Sequence, residues 1–328
     1  MNDNWEINSK AYPPDRLNIQ VTNICNANCT FCAYQYLEDE KGFINEDIFM
    51  SAVDQYNNIG GKIINMTPLV GDLLVDRNIF KKLNYIKSKK SFNKIGFYTN
   101  GILLNKKDYA HQLFEARPTD VVFSLPGFEE KMYRRVYRSS AYKVMIKGVH
   151  KFLKLNKDHG SPIRASFALK PDKPRDEVVF TKDYYEYIEP YINENDLSFV
   201  ELLDNWGGSI KQSDLTGNMT MAEKIPSDKK IFPCYFTFFL SVLINGDVRL
   251  CGCRFNNGTE YDGLVVGNLN NQSILDIWRG EKANAIRNNF LKKKLVSVCK
   301  SCTHYAPYSG KERTKFSIKQ HMELNHEI

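Results

Sequence analysis

The sequence predicts an α/β protein: a partial (β/α)6, TIM-like barrel followed by a small C-terminal cysteine-rich domain. Three observations predict it. Strand and helix patterns alternate six times between residues 17 and 212, as in a parallel sheet with helices outside. The chemically unusual residues fall just after the strand patterns, where parallel α/β folds bind their ligands. After about residue 213 the alternation stops, and five of the eight cysteines follow: Cys234, Cys251, Cys253, Cys299 and Cys302.

Strand one is "LNIQVT" (17–22). The helix after it carries Ile48, Ala52, Val53, Tyr56 and Ile59 on one face and ends at Gly60-Gly61. "KIINMT" is strand two, with a helix around "RNIFKKLNYIK". "KIGFYT" is strand three, with a helix around "KKDYAHQLFEA". "DVVFSL" is strand four, with helical stretches to about 157. "IRASFAL" (163–169) is strand five, with a helix around "TKDYYEYIEPY", and "LSFVELL" (197–203) is strand six. Right-handed crossovers curl such a sheet into an open or closed barrel. Further on, "FFLSVLINGDVRLC" reads as a hairpin turning at Asn245-Gly246, and a helical stretch runs from "SILDIW" to "NNFLKKK". The expected division is an N-terminal segment to residue 16, a barrel over 17–212, a cysteine-rich domain over 213–310 and a tail over 311–328.

At 328 residues the chain is long enough for one large domain with a small one attached. Apolar residues make up 42% and charged residues 25%, as in soluble globular proteins. No apolar run reaches the length of a membrane span and no signal-peptide core opens the chain, so a cytoplasmic location is expected. Thiols stay reduced there, which makes the cysteines metal ligands or reactive groups rather than disulfides. The net charge of +7 is spread over helix faces without nucleic-acid motifs, so neither a membrane nor a nucleic-acid partner is expected.

Cys25, Cys29 and Cys32 stand in "CNANCTFC" directly after strand one, and no fourth cysteine follows until Cys234. Structural zinc and closed iron–sulfur clusters want four ligands. A cubane held by three leaves one iron open to a small molecule, although a zinc site shared with the C-terminal cysteines is the rival. The C-x3-C-x2-C spacing, Phe31 before the third cysteine, "LVGDLL" after strand two and "YTNG" after strand three together resemble the radical S-adenosylmethionine (SAM) superfamily. The resemblance spans roughly residues 17–205. It implies a [4Fe–4S] cluster on Cys25, Cys29 and Cys32 whose open iron chelates SAM. It places Phe31, Gly71, Asp72, Thr99, Asn100 and Ser124 around that cofactor. The chain departs from the family's usual Gly-Gly-Glu-Pro run: Val70, Asp72 and Leu73 replace the first glycine, the glutamate and the proline. Asp72 is thus either a SAM ligand or a helix cap.

The C-terminal cysteines, with "VVGNLNNQSILDIW" between them, resemble the SPASM and twitch domains of the same superfamily. By that resemblance Cys234, Cys251, Cys299 and Cys302 hold a second, auxiliary [4Fe–4S] cluster; structural zinc is the alternative for the same four thiolates. No cysteine follows Cys302, which points to the shorter twitch form. Cys253 is left over. It is a hydrogen-atom donor, a replacement ligand for Cys251, or an inert buried thiol.

The implied activity is reductive cleavage of SAM and hydrogen abstraction from a C–H bond, with a reducing partner such as flavodoxin or ferredoxin. Only sixteen residues precede strand one, too few for a peptide-recognition domain. The expected substrate is therefore a small polar molecule such as a sugar or aminocyclitol, oxidised or epimerised. Arg164, Lys170, Asp204 and Trp206 are the expected substrate-reading residues, with Trp206 stacking on the substrate or packing the barrel end. The alternatives are a peptide- or protein-modifying maturase and a non-catalytic Fe–S or zinc scaffold.

Overall fold

The computed structural model describes residues 12–66, 69–252 and 262–308. Six strands run parallel in chain order: β1 (Arg16–Ile19), β2 (Ile63–Asn65), β3 (Lys94–Thr99), β4 (Asp120–Leu125), β5 (Arg164–Leu169) and β6 (Leu197–Phe199). The crossovers carry α1 (Glu46–Asn58), α2 (Ile79–Ser88), α3 (Tyr109–Ala116), α4 (Glu130–Tyr137), α5 (Tyr142–Asp158), α6 (Arg175–Val179) and α7 (Lys182–Tyr187). This is the expected partial (β/α)6 barrel. Period-two alternation sets its two faces. In β4, Val121, Phe123 and Leu125 are buried beneath the helices, while Asp120, Val122 and Ser124 are half-buried on the other face. Phe123 packs at 5.9 Å from Phe152 of α5 and 5.2 Å from Phe167 of β5, which ties helix and sheet into one core. Burying each such ring stabilises the fold by roughly 1.5–3 kcal/mol.

The helices start and stop where local chemistry requires. Asn45 caps α1 by accepting from the Asp47 amide at 2.7 Å, and α1 buries Phe49, Ala52, Val53 and Tyr56. The expected sixth strand is cut short. Leu202–Leu203 (β7) leaves the main sheet to pair with Thr220–Met221 (β8). The expected long C-terminal helix is two helices, α8 (Ile274–Arg279) and α9 (Glu281–Leu291), broken at Gly280, whose extended backbone ends one and starts the other. A last short helix, α10 (Ser297–Ser301), precedes Cys302.

The hairpin forms as expected from β9 (Phe239–Val242) and β10 (Asp247–Leu250), with Gly246 at φ +86° in its turn. Its placement was not legible in the sequence. β9 pairs parallel with β1, Arg16 opposite Phe239 through Ile19 opposite Val242. With β11 (Val265–Asn268) the order is β11-β10-β9-β1-β2-β3-β4-β5-β6, one nine-stranded sheet crossing the boundary expected at residue 212. No described helix is long and apolar enough to cross a membrane.

Candidate functional site

The loop of residues 25–32 follows β1. Gln20 still donates to the Val242 carbonyl at 2.8 Å, and the Thr22 hydroxyl donates to Gly42 O at 2.7 Å, so the loop leaves a fixed base. Its middle is tied to the end of α4, where Asn28 N–H donates to Tyr137 O at 3.2 Å and Thr30 N–H to Val136 O at 2.9 Å. Cys25, Cys29 and Cys32 are all half-buried. Cys32 accepts from the Tyr34 amide at 3.5 Å, and Asn100 Nδ2 approaches the Cys25 sulfur at 3.8 Å.

Gly71 explains its own identity. At φ +110°, a Cβ there would sit 2.9 Å from Thr22 O and 3.0 Å from Ile24 O. Only glycine lets the turn after β2 lie against the base of the cysteine loop. The next residue completes the contact, Asp72 N–H donating to Ile24 O at 2.9 Å. The Asp72 carboxylate is buried and engaged by the protein. It caps the short 3-10 turn at Leu73–Val75 through Leu74 N at 3.0 Å. It also accepts from Thr99 Oγ1 at 2.9 Å and from Asn100 N at 2.7 Å. The helix-cap role left open by the sequence is therefore present, and the same carboxylate fixes the end of β3. Asn100 reaches on to Asn26 Oδ1 at 2.7 Å.

On the opposite side, Lys170 follows β5 and donates to Ser124 Oγ at 2.9 Å, its ammonium 5.5 Å from the centre of the buried Phe31 ring. Trp206 donates from its indole nitrogen to Phe31 O at 2.8 Å, and Asp204 accepts from the Trp206 amide at 2.7 Å. Phe31, Gly71, Asp72, Thr99, Asn100, Ser124, Lys170, Asp204 and Trp206 thus gather about the three cysteines. Trp206 packs beside Ala33 and Val70, the barrel-end alternative to stacking. Arg164 does not join them. It is the first residue of β5, opposite Asp120, the first of β4, so it stands at the far end of the strand from Lys170. Six residues of strand span about 17 Å, and Arg164 lies there within 3.8 Å of Asp196. Cys253 lies outside the described residues.

Burial sets the electrostatics. It pushes the Cys25 thiol up to about 12, with the Asp72 charge adding to the effect, and Cys32 up to about 11. Cys29 is driven well above the thiol range by burial and by its two neighbouring cysteines. Burial lowers Lys170 to about 8 against the pull of Cys29 and Cys32. Three crowded, partly buried thiols beside a cation are poor isolated thiolates, and bound iron reverses that preference.

The second cysteine set joins three segments. Cys234 precedes β9, Cys251 follows β10, and Cys299 and Cys302 lie at α10. Burial, then the charges of Cys234 and Cys302, raises Cys299, which brings those three thiols within electrostatic reach of one another. Cys302 accepts from the His304 amide at 3.2 Å. Among the described residues no three Cys, His, Asp or Glu side chains converge closely enough to share one ion. Each thiolate of a cubane binds a different iron, so sulfur donors spaced too widely to share one ion are compatible with a cluster.

Sequence reasoning missed the residues between these two sites. Asn205 Nδ2 donates to Ser301 O at 2.7 Å and Thr303 Oγ1 accepts from Asn205 N at 3.0 Å, while Ser301 Oγ donates to Gly207 O. With Trp206 bonded to Phe31, residues 204–208 bridge the two cysteine loops. On the sheet's inner face a cavity of about 480 Å³ is lined by Asn65, Lys94, Tyr98, Asp120, Arg164, Ser166 and their neighbours; of these, sequence reasoning named only Arg164. Strand alternation was the available signal for those residues.

Residues 19–164 match the family model of the Radical SAM superfamily, and residues 234–303 match that of an iron–sulfur cluster-binding domain, SPASM. GTP 3',8-cyclase of Clostridium perfringens (strain SM101 / Type A) is 27% identical over 226 residues, 66% of this chain and 64% of the relative. The enzyme of the same name from Staphylococcus carnosus (strain TM300) is 26% identical over 40% of each chain. The chain therefore spans less than two thirds of the length of these relatives. Among solved structures, Streptococcus suis SuiB bound to S-adenosylmethionine superposes with a TM-score of 0.61 at 15% identity, over 87% of this chain and 71% of that one. BtrN in complex with AdoMet and 2-DOIA gives 0.55 at 17%, over 88% and 92%. The anSMEcpe structure with AdoMet and the Cp18Cys peptide gives 0.56 at 15%, over 96% and 100%. At these identities the likeness is one of fold.

Proposed function

We propose that this radical SAM enzyme, with its SPASM-type iron–sulfur domain, abstracts hydrogen from a C–H bond of a small polar substrate and so oxidises or epimerises it. The observation that supports this reading is the cavity on the inner face of the sheet, where the side chains of Arg16, Asn65, Lys94, Asp120, Arg164 and Ser166 stand among apolar ones. When bound, the first cluster with SAM supplies a 5′-deoxyadenosyl radical, and the second supplies an electron acceptor or donor.

The chain's own residues then have distinct tasks. Cys25, Cys29 and Cys32 hold the first cluster, and Cys234, Cys251, Cys299 and Cys302 the second. Thr99 and Asn100, fixed by Asp72, present hydrogen-bonding groups at the barrel mouth. The Lys170 ammonium and Ser124 hydroxyl form a paired site for a carboxylate at the same level. Asn65, Tyr98 and Ser166 offer hydroxyl and amide groups suited to a hydroxylated ring. Lys94 with Asp120, 3.5 Å apart, places charge of both signs deeper in the cavity.

The test is an anaerobic incubation with SAM and a strong reductant, screening deuterated sugars, aminocyclitols, nucleotides including GTP, and peptides. Deuterium transfer into 5′-deoxyadenosine with a sugar or aminocyclitol supports the proposal. Transfer only with a peptide would make the protein a maturase, and release of no 5′-deoxyadenosine under any condition would leave a cluster scaffold. Cys253→Ala then distinguishes the roles: lost iron identifies a ligand, 5′-deoxyadenosine without product at full iron identifies a hydrogen donor and epimerisation, and full activity favours oxidation.

A further inference from the structure

Lys230 is a lysine with no solvent exposure, on the segment leading to Cys234. Its Nζ donates to Cys299 O at 2.8 Å, to Cys302 O at 2.8 Å and to Lys300 O at 3.5 Å. Three acceptors match the three N–H groups of an ammonium, with Lys300 O shared with the Ser227 hydroxyl, which donates to it at 3.3 Å. The three carbonyls are those at the end of α10, where carbonyls lack helical partners and the helix dipole favours a cation. The same ammonium lies within electrostatic reach of the Cys299 and Cys302 sulfurs and packs 5.9 Å from the Tyr305 ring. A buried lysine of this kind is costly unless charged partners compensate it. A cluster held by four thiolates carries net negative charge, and more of it once reduced.

We propose that Lys230 is a positioning residue for the auxiliary cluster. It ties the carbonyls around Cys299 and Cys302 into one arrangement, and its fixed positive charge raises the cluster's reduction potential. The charge favours the more negative, reduced state, so its loss moves the potential downward. This rests on Cys234, Cys251, Cys299 and Cys302 being cluster ligands.

The experiment compares the anaerobically purified wild-type protein with Lys230→Met and Lys230→Arg by iron and sulfide analysis and by spectroelectrochemical titration of both clusters. Lys230→Met is expected to titrate its auxiliary cluster at a more negative potential, with the first cluster's potential unmoved. In the cluster-free protein, amide exchange over residues 297–304 is expected to rise. An auxiliary potential equal to wild type in a fully loaded Lys230→Met protein overturns the proposal. Should Lys230→Met fail to load, Lys230→Arg decides: restored iron supports the charged tie, and a protein as empty as the Met variant overturns it. Wild-type protein lacking any auxiliary-cluster signal would instead sink the ligand assignment, whatever Lys230 does.

Discussion

The indole Nε1 of Trp206 donates a 2.8 Å hydrogen bond to the carbonyl of Phe31, the residue just before Cys32. The bond spans 175 positions of chain and ends on the cysteine loop. Replacing Trp206 with Phe keeps the ring and removes the donor, leaving the Phe31 carbonyl to lose about 1–3 kcal/mol of compensation. Trp206→Phe is expected to lose its first cluster faster to a chelator, with the KM for substrate unchanged. A raised KM at an unchanged rate of cluster loss would restore the stacking role.

Two cubanes predict about eight irons in anaerobic protein. Replacing Cys25, Cys29 and Cys32 together by alanine is expected to leave about half. Zinc in place of iron and sulfide in the wild type would dismiss both clusters.

Asp72→Asn puts an amide where the carboxylate accepts from Leu74, Thr99 and Asn100. One of those donors then faces an NH2 group, and the end of β3 loosens by roughly 1–3 kcal/mol. SAM affinity is expected to fall with both clusters retained. A drop in thermal stability with SAM affinity intact would confine Asp72 to capping.

Gly71→Ala forces a Cβ to within 2.9 Å of the Thr22 carbonyl at a φ of +110°. The strain is on the order of 1–3 kcal/mol before the clash is counted. Lower denaturation midpoint and impaired loading of the first cluster are expected together; loading at the wild-type level would show that the turn after β2 can move away freely.

Burial lowers Lys94 to about 8, from an ordinary value of 10.5. Between those two values the unfolded chain binds more protons than the folded one, so this residue makes stability rise with pH across that window. Below about 8 both states are protonated and its contribution is flat. Urea midpoints measured from pH 8 to 10 are expected to climb less steeply in Lys94→Met than in wild type.

The barrel was legible because alternation and helical stripes are local. "DVVFSL" and "KIGFYT" form β4 and β3 over the residues expected. Pairing between distant segments leaves no local trace, which is why the β9–β1 contact was not foreseen. Arg164 was expected near the mouth because its strand was recognised, but in a parallel strand the first residue lies at the opposite end from the last. The cysteine loops were singled out by their resemblance to a known family. Their supports were not: Lys230, Asn205 and Ser301 act through backbone carbonyls that any sequence supplies.

The pairing of β1 with β9 also orders events during synthesis. β1 leaves the ribosome early, and the strand that completes its other edge lies more than two hundred residues later. At about 5–20 residues per second, that edge stays open for roughly 10–45 s. The first cysteine loop hangs from β1, with Gln20 bonded to Val242, so its base is incomplete for the whole interval. A nascent chain halted before residue 239 therefore presents three thiols on an unfinished support.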